Sequence, residues 1–253
     1  IYDFRSADIA LGGHGAPLVP LTDEALIGRD KGWRAILNLG GIANLTLLPP
    51  LNGPDCSSNT LGWDCGPGNT LIDLAVQKIS HGTKFYDQDA SIASKGTPDE
   101  KIIKKWIQEP FFNLNPPKST GREQFGLLDL ERRIADMSYL SNQDKISTLS
   151  AFTAALIEND LNNLYLQRSI RPIQLFVAGG GSNNKFIFQE LIKRCKGIKV
   201  SKLDEIGIPV LAREALSFAL LAWWNMNEYS CNSSTITGAN RSAILGIKVK
   251  PSI

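Results

Sequence analysis

Trp33-Arg34-Ala35-Ile36-Leu37-Asn38-Leu39-Gly40-Gly41-Ile42-Ala43-Asn44-Leu45-Thr46-Leu47-Leu48 is the stretch from which the fold is read. Trp33 to Leu39 is apolar enough for a buried strand, and Asn44 to Leu48 makes a second. Gly40-Gly41 between them is a hairpin signal, because both glycines tolerate positive φ. Pro49, Pro50, Asn52, Gly53 and Pro54 then mark a loop. A weaker extended stretch, Thr60 to Asp64, runs into Cys65-Gly66-Pro67-Gly68-Asn69.

Downstream, Leu71, Leu74, Ala75 and Ile79 recur at helical spacing and predict a helix over Thr70 to Ser80. Residues 81–145 hold short helical pieces near 89–95, 99–109 and 126–138, with a Pro-rich link at Pro116-Pro117. A long amphipathic pattern covers Ser147 to Gln167, and Pro172 forbids its continuation. Ile173 to Ala178 reads as a buried strand ending in Gly179-Gly180-Gly181. A helix over Asn183 to Arg194, a strand near Ile198 to Ser201 and an apolar helix over Leu211 to Met226 follow, with a last strand expected over Ala243 to Val249. Three strands in succession, then alternating helices and strands, imply an α/β fold with a mixed sheet covered on both faces. That order suits a ribonuclease-H-like lobe.

Composition narrows the function classes. An apolar fraction of 43% and a charged fraction of 21% are globular values over 253 residues. The net charge of +2 argues against a dedicated nucleic-acid surface. The apolar run Phe218 to Trp224 falls far short of the ~20 residues needed to span a bilayer. Cys56, Cys65, Cys195 and Cys231 show no metal-ligand spacing and, with only His14 and His81 beside them, no zinc site is expected; a reduced, cytosolic chain fits this usage. The chain opens without Met on Ile1-Tyr2-Asp3, which reads as the interior of something longer.

Four places carry polar groups or bare backbone that chemistry needs. The Gly40-Gly41 tip suits close approach to a phosphate, or is simply a tight turn. Asp64 lies at a strand end before a glycine-rich corner and a helix start, where it suits a general base near a bound phosphoryl group, or a structural role at the helix entry. Thr70-x-x-Asp73 fits a capping box, which assigns Asp73 to the cap. Gly179-Gly180-Gly181-Ser182-Asn183 joins a strand to a helix start and suits a phosphate or a planar base, or a close-packed turn. Glu214 lies on a helix so apolar that burial nearly all round is expected, so its carboxylate needs a partner, ordinarily a neighbouring Arg. Arg5 and the cluster Lys118-Ser119-Thr120-Gly121-Arg122-Glu123, judged alone, are solvated charges.

Taken in order, Asp3 to Ala10, Gly12 to Pro20, Asn38 to Leu45, Asp64 to Asn69, Pro117 to Glu123, Gly179 to Asn183, Glu214-Ala215 and Thr237-Gly238-Ala239 resemble the anhydro-N-acetylmuramic acid kinase family. The resemblance covers Asp3 to about Gly246. It implies the two-lobed actin-like fold and the phosphorylation by ATP of O6 of 1,6-anhydro-N-acetylmuramic acid, with water opening the anhydro ring in the same turnover. Asp64 then matches the general base and Glu214 a second active-site carboxylate. Arg5, Asn69 and Arg122 fall to substrate, and Gly40, Gly41, Gly179, Gly180, Gly181, Ser182 and Asn183 to the nucleotide. ATP and Mg²⁺ are implied as cofactors, with the metal ligands open, and a cytoplasmic bacterial homodimer with neither nucleic acid nor membrane as partner. Residues 1–32 correspond to the remainder of an N-terminal lobe and an inter-lobe segment. Residues 33–253 correspond to the C-terminal lobe with an insert at about 81–145, and a lobe with a first phosphate loop is expected before Ile1. His14 stands where the family usually has Gln, and Cys65 where it usually has Thr. Two other readings remain: a sugar- or nucleotide-binding module without catalysis, and a kinase for a different sugar.

Overall fold

A computed structural model describes residues 1–250. In chain order its elements are α1 (Ser6–Ala10), α2 (Pro20–Ile27), β1 (Arg34–Leu39), β2 (Ile42–Leu48), β3 (Leu61–Pro67), α3 (Thr70–Ile79), α4 (Glu100–Ile107), α5 (Leu127–Asp136), α6 (Asn142–Arg168), β4 (Gln174–Ala178), α7 (Lys185–Arg194), β5 (Lys199–Lys202) and α8 (Arg213–Met226). The sheet order is β3-β2-β1-β4-β5. β2 is antiparallel to both neighbours, and the remaining strands run one way. This is the ribonuclease-H-like topology expected from the element order.

The alternation of side chains along each strand divides the core in two. Ala35, Leu37, Leu39, Leu45, Leu47, Trp63 and Cys65 join the large cluster that also takes residues of α3, α6 and α7. Ile36, Leu48, Phe176 and Ala178 face the other way and pack with Leu203 and Val210. A third, small cluster unites Leu18 with Leu221, Cys231 and Leu245, and Phe4 and Ala7 pack against it. The segment 81–145 is part of the large core: Phe112 stacks on Phe125 with centroids 5.5 Å apart and meets the edge of Phe152, also at 5.5 Å.

Three expectations are corrected. Ala243 to Val249 is no strand, because Gly246 takes φ 94° and interrupts the extended run. Only an isolated bridge to the N-terminus forms, with the Ile247 N–H donating to the Tyr2 carbonyl at 2.7 Å. The helix α8 is not buried nearly all round: Arg213, Ser217 and Leu221 form one buried stripe, while Leu216 and Trp223 are exposed. Neither Gly40 nor Gly41 takes a left-handed φ. A side chain is excluded at Gly41 by crowding instead, since a Cβ there would lie 2.9 Å from Thr70 Oγ1.

Candidate functional site

The hairpin register places three polar side chains in one row. Asn38 of β1 pairs with Asn44 of β2, and Asn44 pairs with Asp64 of β3. Partners in register share a face, so the row crosses three strands on the side away from the large core. It lines a cavity of ≈200 Å³ together with Arg5, Pro17 and Glu214. Arg5 reaches it from the start of α1. The loop between α1 and Pro17 is held by Asp8, which is fully buried. Asp8 accepts from the Gly15 N–H at 2.8 Å, Asn232 Nδ2 at 2.7 Å and Thr237 Oγ1 at 2.6 Å. The Thr237-Gly238-Ala239 motif thereby supports the Arg5 loop from below.

Asp64 is 5% exposed. Its Oδ2 accepts from Ser119 Oγ at 2.9 Å and from the Thr120 N–H at 3.0 Å. No protein group among the described residues donates to Oδ1, the oxygen left for a ligand or water. Burial pushes the Asp64 carboxyl above its ordinary range, while the Thr120 and Ser119 bonds, Arg5 and His14 pull it back. A raised carboxyl with one oxygen unengaged is suited to accept a proton. Cys65 beside it is buried, its thiol pushed far up by burial and by Asp160, so it is no nucleophile.

Glu214 does not form the expected pair with its neighbouring Arg. Arg213 turns the other way and binds Asp23, with Nε 2.8 Å from Oδ1. Asp23 in turn accepts from Thr46 Oγ1 at 2.7 Å. Glu214 is exposed at the open end of the cavity. The cluster at 118–123 is also corrected in part, because Lys118 is 4% exposed and pairs with Asp160.

A second, larger cavity of ≈580 Å³ lies at the C-terminal ends of β1 and β4, where ligands of parallel sheets bind. Asn69, Asp73, Tyr86, Asp89, Gly180 and Asn183 are among its walls. An adjoining space of ≈490 Å³ is lined by Ser182, Lys185 and Lys202 and shares Asp89 and Asn183 with it. Gly179 has φ 79° and Gly181 packs against Leu39 and Asn69, whereas a Cβ at Gly180 would meet nothing within 4 Å. The Ser182 hydroxyl is buried without a partner. Asn69 belongs here and not beside Asp64: its Nδ2 donates to the Leu39 and Gly40 carbonyls, each at 3.1 Å. Arg122 lies over the hairpin tip, its guanidinium 3.1 Å from the point a Gly41 Cβ would occupy.

Asp73 is no cap. Asn69 is the N-cap of α3 and makes no side-chain cap bond, and the Thr70 hydroxyl donates to the Gly41 carbonyl at 2.8 Å. Asp73 faces the larger cavity, its carboxyl pushed up to about 6 by burial against the opposing pull of Arg122. Its place in the first turn of α3, directly after the glycine-rich corner, was the sequence signal.

The sequence as a whole matches the family model described as anhydro-N-acetylmuramic acid kinase over residues 1–251. The chain belongs to that family. Curated relatives of the same name include one from Prochlorococcus marinus (strain MIT 9211), 57% identical over 99% of this chain and 66% of its own length. Others come from Prochlorococcus marinus (strain MIT 9303), 55% identical over 99% of this chain and 66% of its own, and Synechococcus sp. (strain CC9902), 53% identical over the same shares. The chain thus spans 66% of the length of these family members. Among the described residues no helix is long and apolar enough to cross a membrane.

Proposed function

We propose that this chain carries the sugar and nucleotide sites of an ATP-dependent kinase that converts 1,6-anhydro-N-acetylmuramic acid and water to N-acetylmuramic acid 6-phosphate. The observation that carries the proposal is Asp64, with Oδ2 anchored by Ser119 and Thr120 and Oδ1 unengaged in a cavity with Arg5 and Glu214. Asp64 takes a proton from water as the water oxygen bonds to the anomeric carbon. The bond from that carbon to O6 breaks, O6 attacks the γ-phosphorus of ATP, and ADP leaves. Burial makes Asp64 a stronger base than an exposed Asp, while Arg5 orients the sugar by its positive charge. Glu214 is the second carboxylate, available to a sugar hydroxyl.

The nucleotide is assigned to the larger cavity. Gly180 and Gly181 bring bare backbone to it and Asn183 lines it, Gly179 turns the chain into this corner, and Ser182 has its unengaged hydroxyl at the adjoining space. Gly40 and Gly41 take the phosphate end, and Asn69, a wall of the larger cavity, and Arg122, over the hairpin tip, are assigned to substrate. Among the described residues no three His, Cys, Asp or Glu side chains converge on a metal site. Mg²⁺ commonly rides on nucleotide phosphates with few protein ligands, so no step is given to a metal held by this chain. Residues 1–32 are read as the remainder of an N-terminal lobe with the inter-lobe segment, and 33–253 as the C-terminal lobe with an insert at about 81–145, of a cytoplasmic homodimer.

The test incubates the native-length protein with ATP and the anhydro sugar in H₂¹⁸O and weighs the product. The expected product is a 6-phosphate with one ¹⁸O at the anomeric carbon. Faster phosphorylation of plain N-acetylmuramic acid would sink the substrate assignment, and binding of the sugar with no product at all would favour a module without catalysis.

A further inference from the structure

On the face of β3 opposite Asp64 lies an ion pair for which the proposed chemistry has no use. Lys118 Nζ is 2.8 Å from Asp160 Oδ1, and the two side chains are only 2% and 6% exposed. Asp160 Oδ2 accepts from the Trp63 indole at 2.8 Å. One carboxylate of α6 therefore holds Trp63, the chain neighbour of Asp64, and the side chain of Lys118. The backbone of Lys118 completes the loop, its carbonyl accepting from the Asp64 N–H at 2.9 Å. The next two residues supply both donors to Asp64 Oδ2.

A buried pair of this kind is a poor source of stability, since apolar side chains of similar volume often do as well. β3 is an edge strand, and the segment at 118–120, which has no regular structure, lies along its open edge. We propose that the Lys118–Asp160 pair is a positioning device for Asp64: it pins Lys118–Thr120 against β3, so that one carboxylate oxygen is always engaged and the other always free. The inference rests on the reading of Asp64 as the base, and Lys118 and Asp160 act through Ser119 and Thr120 without touching substrate.

Loss of the clamp loosens two hydrogen bonds that favour the ionised carboxylate, so Asp64 should titrate at higher pH. The charged or titratable groups around Asp64 from other elements are Arg5, His14, Arg213 and Glu214, and none is altered by changing the pair.

The experiment compares native-length wild type with Lys118→Met/Asp160→Leu, which removes both charges and keeps most of the volume. Asp64 is followed by ¹³C carboxyl NMR against pH and assigned with Asp64→Asn. We expect a cooperative melt near that of wild type, an Asp64 titration moved to higher pH, and kcat down by about 10²-fold with KM for the sugar little changed. An unmoved Asp64 titration in the folded variant overturns the proposal, and so does recovery of wild-type kcat. Should the double variant not fold, Asp160→Asn is read the same way. A shifted titration in a protein that forms no sugar phosphate would count against the proposed activity and leave the positioning role standing.

Discussion

The Thr120 N–H donates to Asp64 Oδ2 at 3.0 Å, joining residues 56 positions apart. The carboxylate is thereby oriented by two separate parts of the chain: β3 sets its position, and the segment after Pro117 sets which oxygen is free. Neither part alone defines the geometry of this carboxylate.

Asp64→Asn keeps an oxygen to accept from Ser119 and Thr120, so the fold should be unaffected, but an amide cannot accept a proton. Sugar-phosphate formation should fall by about 10²–10⁴-fold, the usual contribution of a general base. ATP affinity measured by calorimetry should not change, because the cavity proposed for the nucleotide is lined by other residues. Turnover at the wild-type rate would remove Asp64 from the base role.

Asp73 predicts a pH effect on stability. Its carboxyl is pushed up from 3.8 to about 6 in the folded chain. Between those values the native state holds a proton that the unfolded chain has released, so stability falls as pH rises through this window. The contribution is complete below the unfolded value and gone above the folded one. Melting temperature should therefore drop from this source between pH 4 and 6, and Asp73→Asn should flatten that part of the profile. An identical profile in the variant would rule Asp73 out as its cause.

The strands inside the sheet were legible because β1 and β4 are covered on both faces and read as continuous apolar runs. β3 was legible only as far as Asp64, since Gly66 and Pro67 argue against a strand that pairing with β2 nonetheless extends to Pro67. Asp64, Arg5 and Glu214 were found from the sequence and do meet in one cavity. The role of Asp73 was misread because a capping box depends on where the Thr70 hydroxyl points, and the Gly41 carbonyl captures it. Lys118 and Asp160 left no local trace: a Lys beside a Pro-rich link is normally solvated, and its partner lies 42 positions away in mid-helix. The exposed side of α8 was hidden for the opposite reason, its apolar composition masking a contact stripe only one residue wide per turn.

The three glycines after β4 differ in what they tolerate. A Cβ at position 181 would lie 2.7 Å from Asn69 Nδ2 and 2.8 Å from the Leu39 Cβ, and a Cβ at position 180 would be in the open. Gly181→Ala should cost about 1–3 kcal/mol in urea unfolding, the range for overpacking, and weaken ATP binding by displacing Asn69. Gly180→Ala should leave stability unchanged. Equal losses in the two variants would contradict the packing described for this turn.

The Asp23–Arg213 pair sets where Glu214 stands, because it fixes the first turn of α8 against α2. Both side chains are nearly inaccessible, at 1% and 5% exposure. Arg213→Met leaves Asp23 as a buried charge with only Thr46 to donate to it, and removal of one partner from such a pair costs about 3–5 kcal/mol. Asp23→Leu/Arg213→Met removes both charges and should recover most of that loss. Sugar affinity should stay reduced in the double variant if the bidentate contact is what aims Glu214, and return to wild type if α8 needs only bulk beneath it. Urea midpoints and a sugar titration on the two variants decide the matter. A loss below about 1 kcal/mol in the single variant, the scale of exposed ion pairs, would mean that water reaches Asp23 and that the pair does not hold the helix.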